Sequence, residues 1–271
     1  MDTARPAPQP VFAFGRNWQR FVRAGVDQAR IDAAVASLRR LLVTDDLRGR
    51  TFLDVGCGSG LFSLAALALG AEHIIAFDPD PLSVAAASAL RAEVGTPPHW
   101  EITAGSIVDA AFVGTLDPAD VVYAWGVLHH TGDLWGAIDR AAALVRPGGL
   151  LAIAIYNEVD GILGSSRQWW YLKRLYNRAP TAARWLLEGV MMAQRGMRDV
   201  AVLRDPRRRW SERPRGMRYH HDVRDWLGGF PYEYATPGAV FAHVHRRGFE
   251  LRYLNTGVGH CCNEFTFRRS V

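Results

Sequence analysis

The sequence predicts an α/β protein on a doubly wound, mainly parallel sheet, and three observations predict it. Between residues 51 and 156, short apolar runs alternate with helical segments in regular order. A glycine-rich turn, Gly56-Cys57-Gly58-Ser59-Gly60, follows the first apolar run directly. An aspartate, Asp78, ends the second run. Strand, helix and strand in that order imply right-handed crossovers and a sheet covered on both faces.

The N-terminal residues 1–10 are rich in Pro and Ala and lack an apolar core, so they read as a loose tail and not as a signal peptide. Residues 17–43 have a helical pattern in which Ile31, Val35, Leu38 and Leu42 form one buried face. A polar break at 47–50 follows. Strands are expected over 51–55, 73–77, 99–104, 121–125 and 150–156, and helices over 60–69, 81–94, 108–113 and 133–144. Arg146-Pro147-Gly148-Gly149 reads as a turn before the fifth strand. The alternation stops at Tyr156. Residues 157–234 are rich in Arg and Trp, contain helical stretches at 168–176 and 181–192, and are too long for a bare loop. A helix over 237–247 and strands over 249–255 and 264–269 complete the chain. The expected organisation is a tail and helical cap (1–45), a core (46–156), a helical lid insertion (157–234) and a C-terminal return to the core (235–271).

The 271 residues are 49% hydrophobic, enough for a full core and far from a disordered composition. The formal charge of +5 comes nearly all from arginine and permits an acidic partner without demanding one. Six arginines cluster between Arg204 and Arg215, where a grip on an acidic acceptor and a solvated basic face are both open readings. Three cysteines, two of them adjacent, exclude a disulfide scaffold and point to a reducing cytoplasm. No stretch is apolar for long enough to span a bilayer.

Glycines at alternate positions let the backbone turn sharply and approach a ligand, with the next helix aiming its N-terminus there. Dinucleotide and phosphate sites use similar turns, so the neighbours must discriminate. Asp54 stands two positions before the first glycine. A carboxylate there repels a pyrophosphate but suits the ammonium group of a methionine moiety. Asp78 is placed to accept hydrogen bonds from ribose hydroxyls.

These residues resemble the core of class I S-adenosylmethionine-dependent methyltransferases. Leu53-Asp54-Val55-Gly56-Cys57-Gly58-Ser59-Gly60 resembles the family's first motif and Ile75-Ala76-Phe77-Asp78 the second. Ala104-Gly105-Ser106-Ile107 sits where the family has Gly-Asp and an apolar residue beside the adenine, with Ser106 in place of the acid. Residues 120–130 and 145–150 resemble the fourth motif and the turn before the fifth strand. Phe14-Gly15-Arg16-Asn17-Trp18, residues 221–229 and Cys262-Asn263-Glu264-Phe265 resemble a bacterial subgroup near quinone O-methyltransferase-like, natural-product and sugar methyltransferases. The resemblance implies a Rossmann-like sheet of seven strands with the last antiparallel. It implies S-adenosylmethionine as cofactor and S-adenosylhomocysteine as product. Asp54, Gly56, Cys57, Gly58 and Gly60 would hold the cofactor together with Asp78 and Pro79, Ser106 and Ile107, and Trp125. Trp18 would cover it.

Methyl transfer from a sulfonium is an in-line displacement, so alignment contributes most and a positioned base the rest. His129 and His130 follow the fourth strand, where ligands sit in open parallel sheets. Base and packing readings of His129 are both open, and His130 is better read as packing or as an acceptor contact. His221 beside Asp222 is a second candidate base, or equally a surface pair, with His220 near the acceptor. Asn263 and Glu264 are candidate acceptor contacts. The cluster from His260 to Glu264 lacks zinc spacing, so no metal is expected. The expected function is O-methylation of a small molecule in specialised or sugar metabolism. N-methylation, RNA methylation and cofactor binding without catalysis are the alternatives. No separate RNA-binding module or dense basic stripe is visible, which disfavours a nucleic acid. Trp185, Leu186, Leu187, Val190 and Met191 on one helix raise peripheral contact with a membrane.

Overall fold

The computed structural model describes residues 12, 14–23, 25–162, 164–201, 205 and 219–271, with backbone alone for 219–222. The expected N-terminal tail and the arginine cluster from Arg204 to Arg215, Asp205 apart, lie outside the described residues. Seven strands form one sheet in the order β3-β2-β1-β4-β5-β7-β6. They are β1 (Thr51–Val55), β2 (His73–Asp78), β3 (Trp100–Ala104), β4 (Ala119–Trp125), β5 (Val145–Tyr156), β6 (Phe249–Asn255) and β7 (Cys262–Arg269). β1 to β5 pair in parallel, and β7 runs antiparallel to both β5 and β6. After β1 the chain runs outward through β2 and β3, then crosses back to place β4 on the other side of β1. That reversal opens a crevice at the carboxyl ends of β1 and β4.

Alternation along the strands builds two cores. Phe52, Val121 and Tyr123 face α1 (Phe14–Arg23), α2 (Gln28–Leu42), α3 (Leu61–Ala68) and α4 (Pro81–Glu93), meeting Phe21, Leu38, Leu64 and Leu90. Leu53, Val122 and Ala124 face the other way, beside α5 (Ala110–Val113), α6 (Leu134–Ala143) and a later helix, meeting Ile138, Val240 and Phe265. Trp100 is wholly buried and closes the first core under β3.

Two sequence expectations change here. The helical run expected over 17–43 is two helices. Gly25 at φ +81 breaks it, and Asp27 caps α2 by accepting from Arg30 N–H at 3.0 Å. The Arg146–Gly149 turn lies within β5 as a bulge. Ala119 pairs with Val145 and Val121 with Leu150, so four residues stand opposite Asp120. The Asp120 carboxylate holds the bulge by accepting from Thr51 N–H (2.8 Å) and from the Arg146 guanidinium (3.0 Å). Gly148 takes φ +76, and any Cβ on Gly149 would stand 2.8 Å from the Asp120 carbonyl oxygen.

The segment after β5 forms α7 (Ser166–Arg178), α8 (Thr181–Ala201) and α9 (Tyr219–Gly228), followed by α10 (Pro237–His245). A capping box between Ser165 and Gln168 starts α7. α8 runs nine residues beyond the expected end at 192. Helices α7, α8 and α9 pack on one another through Tyr176, Met191, Val223 and Leu227.

Phe265→Ala removes a ring with no exposed surface between β7 and the second core. It is expected to lower unfolding free energy by about 3–5 kcal/mol, read as a shifted urea midpoint at unchanged slope.

Candidate active site

The chain turns sharply as it leaves β1. Gly56, Gly58 and Gly60 take φ of +68, +56 and +78, values that L side chains rarely adopt. Gly56 and Cys57 donate their N–H groups to the Phe77 carbonyl (2.8 and 3.0 Å), which folds the turn against the end of β2. Gly58 N–H donates to Asp78 Oδ2 at 3.0 Å, and Asp80 N–H donates to Asp78 Oδ1 at 2.9 Å. Across the turn, the buried Asp54 carboxylate accepts from Ser63 Oγ at 2.6 Å.

Neither aspartate forms an ion pair among the described residues. Burial raises the Asp54 carboxyl to about 7, against the Ser63 hydrogen bond and with help from the charge of Asp78. Burial also raises Asp78, although the amides of Asp80 and Gly58 oppose it. Two buried acids without a protein cation are complementary to a positively charged ligand. Burial likewise pushes the Cys57 thiol well above its ordinary range, so it is not a nucleophile here.

The N-terminal helix closes one side. Asp80 caps α4 by accepting from Leu82 N–H and reaches α1 by accepting from Gly15 N–H, each at 2.9 Å. Trp18 lies so close over the turn that a Cβ on Gly58 would come within 2.9 Å of its indole. Asn17 Nδ2 donates to Asp225 on α9 at 2.8 Å, joining the two helical additions.

A cavity of about 1930 Å³ opens from the glycine turn toward α7–α9. That is about twice the upper end for a single small-molecule site. Of the candidate cofactor residues, Asp54, Gly56, Cys57 and Gly58 line it, as do Asp78, Pro79, Ser106, Ile107, Trp125 and Trp18. Gly60 does not. It sits at the start of α3, where a Cβ would meet Ala87 and Trp100, and its role is the turn itself.

His129 and His130 also line the cavity. The His129 ring lies 4.0 Å from that of Tyr156, and neither of its nitrogens makes a hydrogen bond of normal geometry. Burial holds it neutral, well below its usual range, and the charges of His130 and Lys173 add to that. His130 instead bonds through Nδ1 to the Pro231 carbonyl at 2.6 Å, and burial takes it to about 3. Asn263 and Glu264 do not reach the cavity. Asn263 donates to Asn157 Oδ1 (3.0 Å), and Glu264 accepts from Trp125 Nε1 (2.8 Å) and Asn255 Nδ2 (3.0 Å). These bonds occupy both side chains, which strand alternation sets on opposite faces of β7, and Glu264 fixes the Trp125 indole. His220 and His221 fall in the first turn of α9, and their side chains lie outside the described residues. Among the described residues, no group of three or more His, Cys, Asp or Glu could hold a metal ion.

Sequence reasoning missed Lys173. It is wholly buried on α7, with its ammonium 4.7 Å from the Trp226 ring, 4.8 Å from Tyr232 and 5.2 Å from Tyr156, and it donates to the Trp226 carbonyl. Burial lowers it to about 7. A signal was present. Lys173 is the only lysine in the chain, against 31 arginines. Arginine cannot shed its proton in such a site, and lysine can.

The profile of the methyltransferase-domain family matches residues 27–186, more than half of the chain. The chain belongs to that family. It is 35% identical over 114 residues to a ubiquinone biosynthesis O-methyltransferase of Methylobacterium sp. (strain 4-46), covering 42% of this chain and 43% of that protein. It is 37% identical over 123 residues to a tRNA U34 carboxymethyltransferase of Azotobacter vinelandii, covering 44% and 36%. The chain thus spans less than half the length of these curated relatives. The fold is that of the magnesium protoporphyrin IX methyltransferase of Synechocystis, at a TM-score of 0.55 and 15% identity over 94% of each chain.

Two outcomes are expected. A cationic cofactor needs Asp54 ionised, but in the free protein this carboxyl is protonated below about pH 7. Affinity for S-adenosylmethionine should therefore weaken as pH falls, approaching about tenfold per unit below 7, with protons released on binding. Calorimetry in buffers of different ionisation enthalpy reads both, and Asp54→Asn should remove the slope along with much of the affinity. Lys173 has the opposite sign. Its folded value is depressed from 10.5 to about 7, so its penalty is absent above 10.5, grows as pH falls and is complete below 7. Lys173→Met should raise the melting temperature, more at pH 6 than at pH 9.

Proposed function

We propose that the enzyme O-methylates a small hydroxylated molecule of specialised metabolism, one with a large apolar face. The observation that carries this reading is the single cavity joining the glycine turn to walls of Phe14, Trp125, Tyr156, Trp169, Trp226 and Phe230. Its volume leaves room for an acceptor beside a nucleoside. The match to a ubiquinone biosynthesis O-methyltransferase supports the same class. The walls favour such an acceptor over a bare sugar.

In this reading Asp54 and Asp78 hold the ammonium and ribose ends of the cofactor, and Ser106 and Ile107 border its base. Trp18 covers the turn. When bound, the cofactor supplies a methyl group on a positively charged sulfur. Helices α7, α8 and α9 act as a lid that excludes water and aligns the acceptor hydroxyl. The neutral His129 ring would receive the proton that the acceptor hydroxyl gives up on methylation. Burial keeps that ring unprotonated across the physiological range, so its nitrogens are open to a proton, while the same burial makes it a weak base. Glu264 positions Trp125 beside the reacting atoms. Cys57, Cys261 and Cys262 form no disulfide, which supports a reducing, cytoplasmic setting.

The test is incubation with trideuteromethyl-labelled S-adenosylmethionine and a panel of hydroxylated aromatics, aliphatic alcohols, sugars, amines and tRNA. Mass spectrometry and NMR then locate the label. Label on the oxygen of an apolar hydroxylated compound is expected. Label confined to nitrogen or to tRNA would replace this reading. With that acceptor, His129→Ala should lower turnover by about 10²–10⁴-fold while cofactor affinity is retained. Unchanged turnover would remove His129 from proton transfer.

A further inference from the structure

Helix α8 is built inside out. Four of its five charged side chains, all but Arg198, turn toward the protein. Glu188 accepts from Tyr176 Oη (2.6 Å) and from Arg224 (2.9 Å), and Arg184 donates to the carbonyls of Ala179 (2.9 Å) and Asn177 (2.8 Å). Arg195 stacks over Trp226, and Asp199 is buried. Leu187, Met191 and Met192 pack inward, but the other large apolar side chains face outward. Trp185 is 65% exposed, Leu186 68%, Met197 65% and Val200 60%, with Val190 at 47%. Ala182, Gly189 and Ala193 fill the gaps between them, so the outward face runs uncharged along a helix about 30 Å long. A soluble helix normally shows the reverse pattern. An apolar surface of this extent marks an interaction site.

The charges bordering this face indicate its partner. On α7 the exposed stripe reads Arg167, Tyr171, Leu175 and Arg178, an apolar centre with arginine at either end. Near the end of α8, Arg198 is exposed. Among the described residues of these two helices, every exposed charge is an arginine, and both acids of α8 are turned inward. The sequence beyond α8 keeps the same sign, with six arginines against two acids between residues 204 and 215. Two-fold pairing of this face with a second copy would set arginine rim against arginine rim. Apolar and aromatic side chains rimmed by arginine suit an acyl–headgroup boundary bearing negative charge.

We infer that the outward face of α8, with the adjoining stripe of α7, docks on an anionic lipid surface. No helix among the described residues is long and apolar enough to cross a membrane, so the contact is peripheral. Met197, Arg198 and Ala201 line the cavity as well as belonging to this end of α8. Docking therefore sets one rim of the cavity against the lipid. An acceptor dissolved in the bilayer then has a short path inward.

The test is co-sedimentation of the full chain with two kinds of vesicle, phosphatidylcholine alone and phosphatidylcholine with about a third phosphatidylglycerol, with no acceptor present. Omitting the acceptor keeps the result separate from the identity of the substrate. Binding is expected to the anionic vesicles, weakened at about 0.5 M salt. Leu186→Glu combined with Val190→Glu should abolish it, while far-UV dichroism and S-adenosylmethionine affinity stay unchanged. Arg167→Ala and Arg178→Ala should each weaken it about fivefold. Protein left in the supernatant with both vesicles would overturn the inference, as would glutamate variants that sediment like the parent. A dimer in sedimentation equilibrium that Leu186→Glu dissociates, without vesicle binding, would assign the face to a second copy and equally overturn it.

Discussion

Two carboxylates buried at the carboxyl end of the sheet, with no cation beside them among the described residues, set the terms for everything around them. Burying charge in this way is costly, and a fold retains it where a ligand offsets the cost. Asp54 and Asp78 stay in place because the turn between them has no side chains in the way. A Cβ on Gly56 would meet Val127, and one on Gly58 would meet Trp18. The amide of Gly58 then serves twice, closing the turn and holding Asp78 in a fixed rotamer. The same turn receives α1, through Gly15 and Trp18, and α1 reaches α9 through Asn17. The N-terminal and inserted helices are therefore tied to each other and to the cofactor end of the sheet.

The parts legible in the sequence are those whose physics is local. Strands β1, β2 and β4 announce themselves as short apolar runs, and the glycine turn needs positive φ at residues that can adopt it. Asp54 and Asp78 follow from their spacing to that turn. Where position depends on distant partners, the sequence is quiet. Nothing near Glu264 says that its carboxylate is taken by Trp125, 139 residues away. Nothing near Arg146 says that Asp120 will draw the Pro-Gly-Gly segment into a strand as a bulge. Nothing near His130 says that the Pro231 carbonyl will take its Nδ1 while the ring still lines the cavity.

Lys173 and α8 show a third case, where the signal is present but is not one of pattern. A single lysine in an arginine-rich chain is a compositional fact with a chemical meaning. Burial among three aromatic rings suits an amine that can lose its proton and excludes a guanidinium, which cannot. Its charge in turn helps to hold His129 neutral, which links the aromatic wall to the protonation of the ring facing the cavity.

The inversion of α8 follows from the same economy of charge. Glu188 and Arg184 are engaged with Tyr176, Arg224 and the end of α7, and those contacts orient the helix about its own axis. With those polar groups and Met191 drawn inward, Trp185, Leu186, Val190, Met197 and Val200 are left pointing away from the protein. Packing against α7 and α9 therefore fixes which side chains the surroundings meet. A helix held in this way needs no change of fold to engage an apolar phase, because its outward face is already arranged. The cavity opens beside that face, so the surroundings of α8 bear directly on what can enter.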